Sequence, residues 1–258
     1  MPACCTARDA KGSRARAGAF ARTCAVVVLA TVAPQAGNAA GQDAAARRVA
    51  TAQQLVEQLD LNNTSYEHGQ GHVRFSAPPE SRTDCSGFID HLLMHDDGYT
   101  PADFKHWLGS GRPNAARYHD AIVEGRGFSR VTKVADLKAG DLLAIKYLTR
   151  TGNSGHLMLA VDAPRRVSAT PPQVDGTTQW VVTVVDSSES GHGPTDTRHK
   201  RGAGGKDHDG LGRGVFRVYA DGTGEVAGFA WSTTKASHYV VPSDEHLVMG
   251  RFEAGFRP

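Results

Sequence analysis

The apolar pattern changes period partway along this chain, and that change constrains the fold more than any other feature. In the first half, apolar residues recur three and four positions apart. Residues 43–61 carry Val49, Ala52, Leu55, Val56 and Leu59 on one stripe among good helix formers, and Asn62-Asn63 ends the run. Phe88, Ile89, Leu92 and Leu93 form a second stripe, which Thr83 or Asp84 can cap. Thr100-Pro101 opens a third helix with Phe104, Trp107 and Leu108 on one face, and Asn114 caps a fourth through Ile122. Beyond these the apolar residues come in short runs. Residues 142–145, 157–161, 180–185, 215–219, 226–231 and 247–252 read as strands, with a hairpin signal at Asp221-Gly222-Thr223-Gly224. Helices first and strands after predict an α+β fold, with N-terminal helices packed on a largely antiparallel sheet.

The N-terminal end has a different character. Arg8, Lys11, Arg14, Arg16 and Arg22 precede a short apolar run, residues 24–33, and small residues lead to Ala39-Ala40. A basic stretch, a short apolar run and a small-residue exit predict a secretion signal over 1–39, so a secreted or periplasmic protein. The apolar run is too short to span a bilayer, which takes ~20 residues, and no later segment is long enough. Five of the 29 basic and one of the 27 acidic residues lie in 1–39, so residues 40–258 carry a net charge of −2. That balance gives no reason to expect nucleic acid. Residues 40–258 suffice for a single domain, with a monomer as the expected state. Two stretches interrupt it: 162–179, rich in Pro and Thr, and 187–214, rich in Gly, His and basic residues. The second reads as a lid, a disordered insert or a solvated surface loop.

Three of the four cysteines, Cys4, Cys5 and Cys24, lie in the predicted signal. Cys85 remains, and a lone thiol outside the cell is an intermolecular link, an accident or a reactive group. It stands in Asp84-Cys85-Ser86-Gly87, where a helix should begin. A thiol attacks acyl carbon only as thiolate, and a helix N-terminus or an imidazolium favours that form. The N–H groups of the first turn could also hold an oxyanion, and Gly87 lets a substrate or neighbouring backbone come close. Such a nucleophile needs a base, and the base needs an orienter. His156 opens an apolar strand, and the next strand ends Val184-Val185-Asp186. Adjacent antiparallel strands would bring Asp186 to His156, where a carboxylate fixes the tautomer. Asp162 and His192 are rivals for that third place.

In order along the chain, Tyr66-Glu67-His68-Gly69, Asp84-Cys85-Ser86-Gly87-Phe88-Ile89, Lys138-Ala139-Gly140-Asp141-Leu142, Gly155-His156, Val185-Asp186-Ser187-Ser188 and Val248-Met249-Gly250-Arg251 resemble the NlpC-type family of bacterial cell-wall cysteine peptidases. The resemblance runs from about 62 to 254 and implies a papain-like fold. It also implies Cys85 as nucleophile, His156 as base and Asp186 as third polar residue. Tyr66 and Ser86 would lie at the oxyanion and substrate. It further implies peptidoglycan stem peptides as substrate, typically the bond between D-glutamate and a diamino acid, and no cofactor. The chain departs from the family pattern at several points. His68 stands where tryptophan is common, the third position is more often His, a second glycine after Gly69 is missing, and both interrupting stretches are unusual.

Other readings compete. A non-catalytic binding protein could use the same fold, and a toxin-like amidase or a transferase could use the same triad on another acyl group. His91, His95 and Asp96 lack the glutamate of a zinc-protease helix, so no metal is expected there. His192, His199 and His208 could bind metal adventitiously. Ser154 and Ser190 lack a serine hydrolase's strand-turn-helix elbow.

Overall fold

The computed structural model describes residues 36–69, 71–201 and 208–258. The predicted signal lies outside them, except that residues 36–39 open the first helix. Helix α1 spans Ala36–Gln58 and buries Ala52, Leu55 and Val56 on one side. Helix α2 is Cys85–Asp97, α3 is Pro101–Leu108 and α4 is Ala115–Glu124. Their limits follow from local chemistry. The Asp84, Thr100 and Asn114 side chains each accept from an N–H of the first turn, and each helix stops at a glycine in the left-handed region. At α3 the cap is reciprocal, because Asp103 also accepts from the Thr100 N–H at 2.8 Å.

Nine strands form the main sheet. They are β4 (Phe128–Val131), β5 (Leu142–Tyr147), β6 (Gly155–Ala160), β7 (Arg165–Val167), β8 (Thr178–Ser188), β9 (Gly210–Ala220), β10 (Val226–Ala230), β11 (Tyr239–Val240) and β12 (Glu245–Phe252). Their order is β11-β10-β9-β8-β6-β5-β12-β4, with β7 on β8. Every pairing in this sheet is antiparallel. The fold is therefore α+β around an antiparallel sheet, and among the described residues no helix is long and apolar enough to cross a membrane.

Alternation along the strands gives two cores. Leu157 and Leu159 of β6 join Phe88, Leu92 and Ile122 on the helical side. Met158 and Ala160 join Val182, Val184, Phe216 and Phe229 on the other. The second core is enclosed because the sheet rolls. Strands β10 and β12 touch without being neighbours in the order, Lys133 bridges to Glu225, and the Val134 N–H donates to the Gly224 carbonyl at 2.9 Å.

Some elements escape the sequence reading. Residues 62–83, a polar and glycine-rich segment with no apolar alternation, hold a small sheet of β1 (Thr64–Ser65), β3 (Glu80–Arg82) and β2 (His72–Arg74). Side-chain ties stabilise it more than apolar alternation. Arg82 donates to Glu80 at 2.7 Å, Ser65 at 3.1 Å and the Asn62 carbonyl at 2.7 Å. The interruptions at 162–179 and 187–214 also need correction. Residues 178, 179, 187 and 188 belong to β8, residues 210–214 belong to β9, and β7 lies within the first stretch. Strands β8 and β9 pair along their whole length, from Thr178 opposite Ala220 to Ser188 opposite Gly210, which draws the apparent loop residues into the ladder. Among its described residues, what remains of the second stretch carries the short helix α5 (Thr197–Arg201). His192, Asp196 and Arg198 within it are buried.

Candidate active site

Asp84 builds the first half of the site. Its Oδ1 accepts from the Gly87 N–H at 2.8 Å and from the Ser86 hydroxyl at 3.2 Å. Its Oδ2 accepts from Arg112 at 3.1 Å and faces Nδ1 of His68 at 3.4 Å. The cap thus fixes where α2 begins, and Cys85 is its first residue, 4% exposed. The Phe88 N–H bonds the Asp84 carbonyl at 3.0 Å. Among the described residues no acceptor takes the N–H of Cys85 or Ser86, so both remain available at the nucleophile. Gly87 has a different purpose from the one expected. A Cβ there would lie 2.1 Å from Oγ1 of Thr83, so the glycine makes room for a neighbouring side chain.

The second half comes from the ends of β6 and β8. Nε2 of His156 lies 2.6 Å from Oδ2 of Asp186. The other face of the interaction is Cys85, whose charge acts on the same ring. Burial alone would lower the His156 pKa. The charge on Cys85 and the bonds to Asp186 and Cys85 outweigh it and raise the pKa to about 9. Asp186 is fully buried, which would raise its pKa. The positive charges of Arg198 and His192, with the His156 bond, hold it well below the usual carboxylate range. Trp231, following β10, sets its ring edge-on to His156 at 4.9 Å and shields the His156–Asp186 bond.

Two hollows flank this pair. One, of about 210 Å3, exposes Cys85 and Ser86 with His68, Asn114 and Ser154 around them. The other, of about 310 Å3, exposes His156 with Tyr147, Arg150, Glu189, Trp231 and Glu245. Tyr66 and Asn153 line both, so together they form one cleft across the Cys85–His156 line. Burial, then the charge of Cys85, pushes the Tyr66 phenol far up, so it stays a donor. Tyr147 is pushed up to about 12, chiefly by burial and then by Glu245. Glu245 is ion-paired with Arg150. A larger hollow, about 410 Å3, lies between α1 and the end of β12. Its Arg251 is already held by Asp141 at 2.8 Å, and no cysteine or histidine lines it.

Cys85, His156, Asp186, Tyr66 and Ser86 therefore converge. The Ser86 hydroxyl is engaged by Asp84, so this residue offers its backbone N–H to the cleft. Asp162 is exposed and outside the site. His192 also touches Asp186, with Nε2 at 3.2 Å from both carboxylate oxygens. Asp141, part of the Lys138–Leu142 motif, accepts from the Lys138 N–H at 2.7 Å and from Arg251, so it holds a turn. His95 pairs with Asp96 at 2.7 Å, and no three His, Cys, Asp or Glu side chains among the described residues are grouped to hold a metal ion. Sequence reasoning missed Arg198, Asp196 and Trp231. The first two had a signal, the alternating glycines of 210–214, while an isolated tryptophan after a strand carries none.

Comparison with known proteins adds similarity without an activity. The chain is 29% identical over 215 residues to the uncharacterised protein R653 of Acanthamoeba polyphaga mimivirus, covering 77% of this chain and 93% of the viral one. No protein-family model matches the chain, and no solved structure matches it.

Proposed function

We propose that this protein is a secreted cysteine hydrolase of papain-like fold that cleaves amide bonds in peptidoglycan stem peptides. One observation carries the proposal: a cysteine at a helix N-terminus interacts with a buried histidine, one ring nitrogen of which lies 2.6 Å from a buried carboxylate. The Cys85 thiolate attacks the carbonyl carbon. The oxyanion is held by the N–H groups of Cys85 and Ser86 and the Tyr66 hydroxyl. The His156 imidazolium gives its proton to the leaving amine, and the acyl group stays on sulfur as a thioester. His156, now neutral, takes a proton from water, which attacks the thioester and frees the acid and the thiolate. The amine departs toward the hollow that exposes His156, and the acyl group occupies the one that exposes Cys85. The motif order that resembles the NlpC-type family supports the wall-peptide substrate, and the N-terminal pattern supports export.

Purified peptidoglycan treated with the protein, beside Cys85→Ala, tests this. Mass spectrometry of the soluble products should show new peptide fragments with the wild type alone, and their masses would name the bond. Equal products from Cys85→Ala would end the mechanism.

A further inference from the structure

Strand β9 opens Gly210-Leu211-Gly212-Arg213-Gly214. Residues two apart on a strand share a face, so this run leaves one face bare of side chains. The bare face is a trough with a definite filling. A Cβ on Gly212 would stand 2.5 Å from Nε of Arg198. One on Gly214 would stand 2.1 Å from Oδ2 of Asp196 and 2.7 Å from Cβ of His192. Those three side chains are 0%, 0% and 1% exposed for Arg198, Asp196 and His192.

The filling is ionic and fully bonded. Arg198 donates through Nη2 to Oδ1 of Asp186 at 2.8 Å and to Oδ2 of Asp196 at 2.9 Å. Its Nε reaches Oδ1 of Asp196 at 2.9 Å, and Nη1 lies 3.3 Å from the carbonyls of Asp186 and Gly210. The N–H groups of His192 and Arg198 both donate to Asp196 at 2.8 Å. Nδ1 of His192 donates to the Trp231 carbonyl at 2.7 Å, and its Nε2 faces both oxygens of Asp186. Asp186 is thus gripped from behind, with Oδ2 directed at His156.

Packing alone does not explain this network. Burying charges costs desolvation that an apolar filling of the same trough would avoid. We propose that Arg198, braced by Asp196, and His192 are positioning residues that keep the Asp186 carboxylate ionised and aimed at His156, and so maintain the thiolate–imidazolium form of the Cys85–His156 pair. The inference rests on the hydrolase reading above, in which that pair reacts. The charged groups facing His156 are Cys85 from α2, Asp186 from β8 and Glu245 from β12. Those facing Asp186 are His156, His192 and Arg198. Without Arg198, a carboxyl this buried takes up a proton. A neutral Asp186 no longer supports the imidazolium, and the pair reverts to thiol and imidazole.

The test is the alkylation rate of Cys85 by iodoacetamide from pH 5 to 10, read on the Cys85 peptide by mass spectrometry. The variants are Arg198→Met with Asp196→Asn, which removes one charge of each sign, and Arg198→Lys, which keeps the positive charge. Wild-type Cys85 should react fast at pH 6. The double variant, melting cooperatively, should react about tenfold slower there, the effect of one pKa unit. Its imidazolium should also be lost at lower pH than in the wild type, and Arg198→Lys should recover part of the rate. A folded double variant with the wild-type profile overturns the inference and leaves the hydrolase reading intact. Wild-type Cys85 reacting at pH 6 no faster than a free thiol overturns both. If the double variant does not fold, Gly214→Ala and His192→Gln take its place. A displaced profile supports the inference, and an unchanged one overturns it.

Discussion

His156 interacts with two groups, Cys85 and Asp186, that both favour its protonated form, and burial opposes them. The balance lies on the side of the bonds, with a pKa near 9 against about 6.5 in an unfolded chain. The stability this contributes is fully present below about pH 6.5 and is lost as pH rises through about 9. In the proposed hydrolysis the same proton reaches the leaving amine, so kcat should fall with a limb near pH 9, as a pH–rate profile would show. Replacing the carboxylate disturbs both roles. In Asp186→Asn, an amide must face His156, His192 and Arg198, and one orientation or the other sets donor against donor. We expect a loss of roughly 10²–10⁴ in kcat/KM, the range of acid–base catalysis. We also expect destabilisation by about 3 kcal/mol, the scale of a broken buried ion pair. Full activity in a folded Asp186→Asn would show that orientation of His156 does not need the charge. Cys85, His156 and Asp186 were legible in the sequence because each sits at an element boundary that local pattern marks. Arg198 was not, since a buried arginine in a glycine-rich stretch looks like a solvated one until its partners are known.

Helix α4 is joined to β12 through a pair of histidines. Nε2 of His119 lies 2.9 Å from Nδ1 of His246, and Nδ1 of His119 faces Asp120 at 2.9 Å. Asp120 is in turn bonded by Lys146 of β5 at 2.8 Å. One bridging proton satisfies the two imidazoles, and a second would set like charges together. His119 is lowered mainly by burial, with the His246 charge adding and Asp120 opposing, and His246 is lowered by burial and by Arg130 and Lys146. With both folded values depressed, the unfolded chain binds more protons near pH 6. Stability is therefore lost as pH falls below about 6.5. The melting temperature of the wild type should drop more between pH 7 and 5 than that of His119→Gln, and calorimetry across that range would measure it. Equal slopes would remove the pair from the pH response. At this scale sequence reading succeeded wherever one stripe or run decided the element, as with α2, α3 and β6. It failed for β4, where exposed Ser129 and Arg130 separate buried Phe128 and Val131. It failed also for the small sheet of 62–83, held together by Arg82 rather than by apolar alternation.

Across the whole molecule, the predicted export step has a structural consequence. Helix α1 begins at Ala36, so cleavage near Ala39 or Ala40 would remove its opening residues. Among the described side chains, those that α1 buries in the domain are Arg48, Ala52, Leu55 and Val56, followed by Leu59, and they lie beyond that point. Arg48 bonds Asp97 at the end of α2 at 2.8 Å and covers the Phe252 ring at 4.3 Å, tying α1 to both α2 and β12. Removing the first turn of a helix costs little where tertiary packing of the remainder supplies most of its stability. A chain starting at residue 40 should melt within about 1 kcal/mol of the full-length protein, the scale of one lost cap. It should also keep the same Cys85 alkylation rate. The exported protein, sequenced from its N-terminus, should begin at residue 40 or 41. A start beyond Arg48 would cut into the packed half of α1 and contradict the predicted site. Loss of folding in the 40–258 chain would mean that the first turn of α1 carries contacts the domain needs. The overall class, helices on an antiparallel sheet, was legible from the change of period along the chain. The roll of that sheet was not, because it depends on β10 meeting β12 and on the Lys133–Glu225 bridge, pairings between residues far apart in sequence.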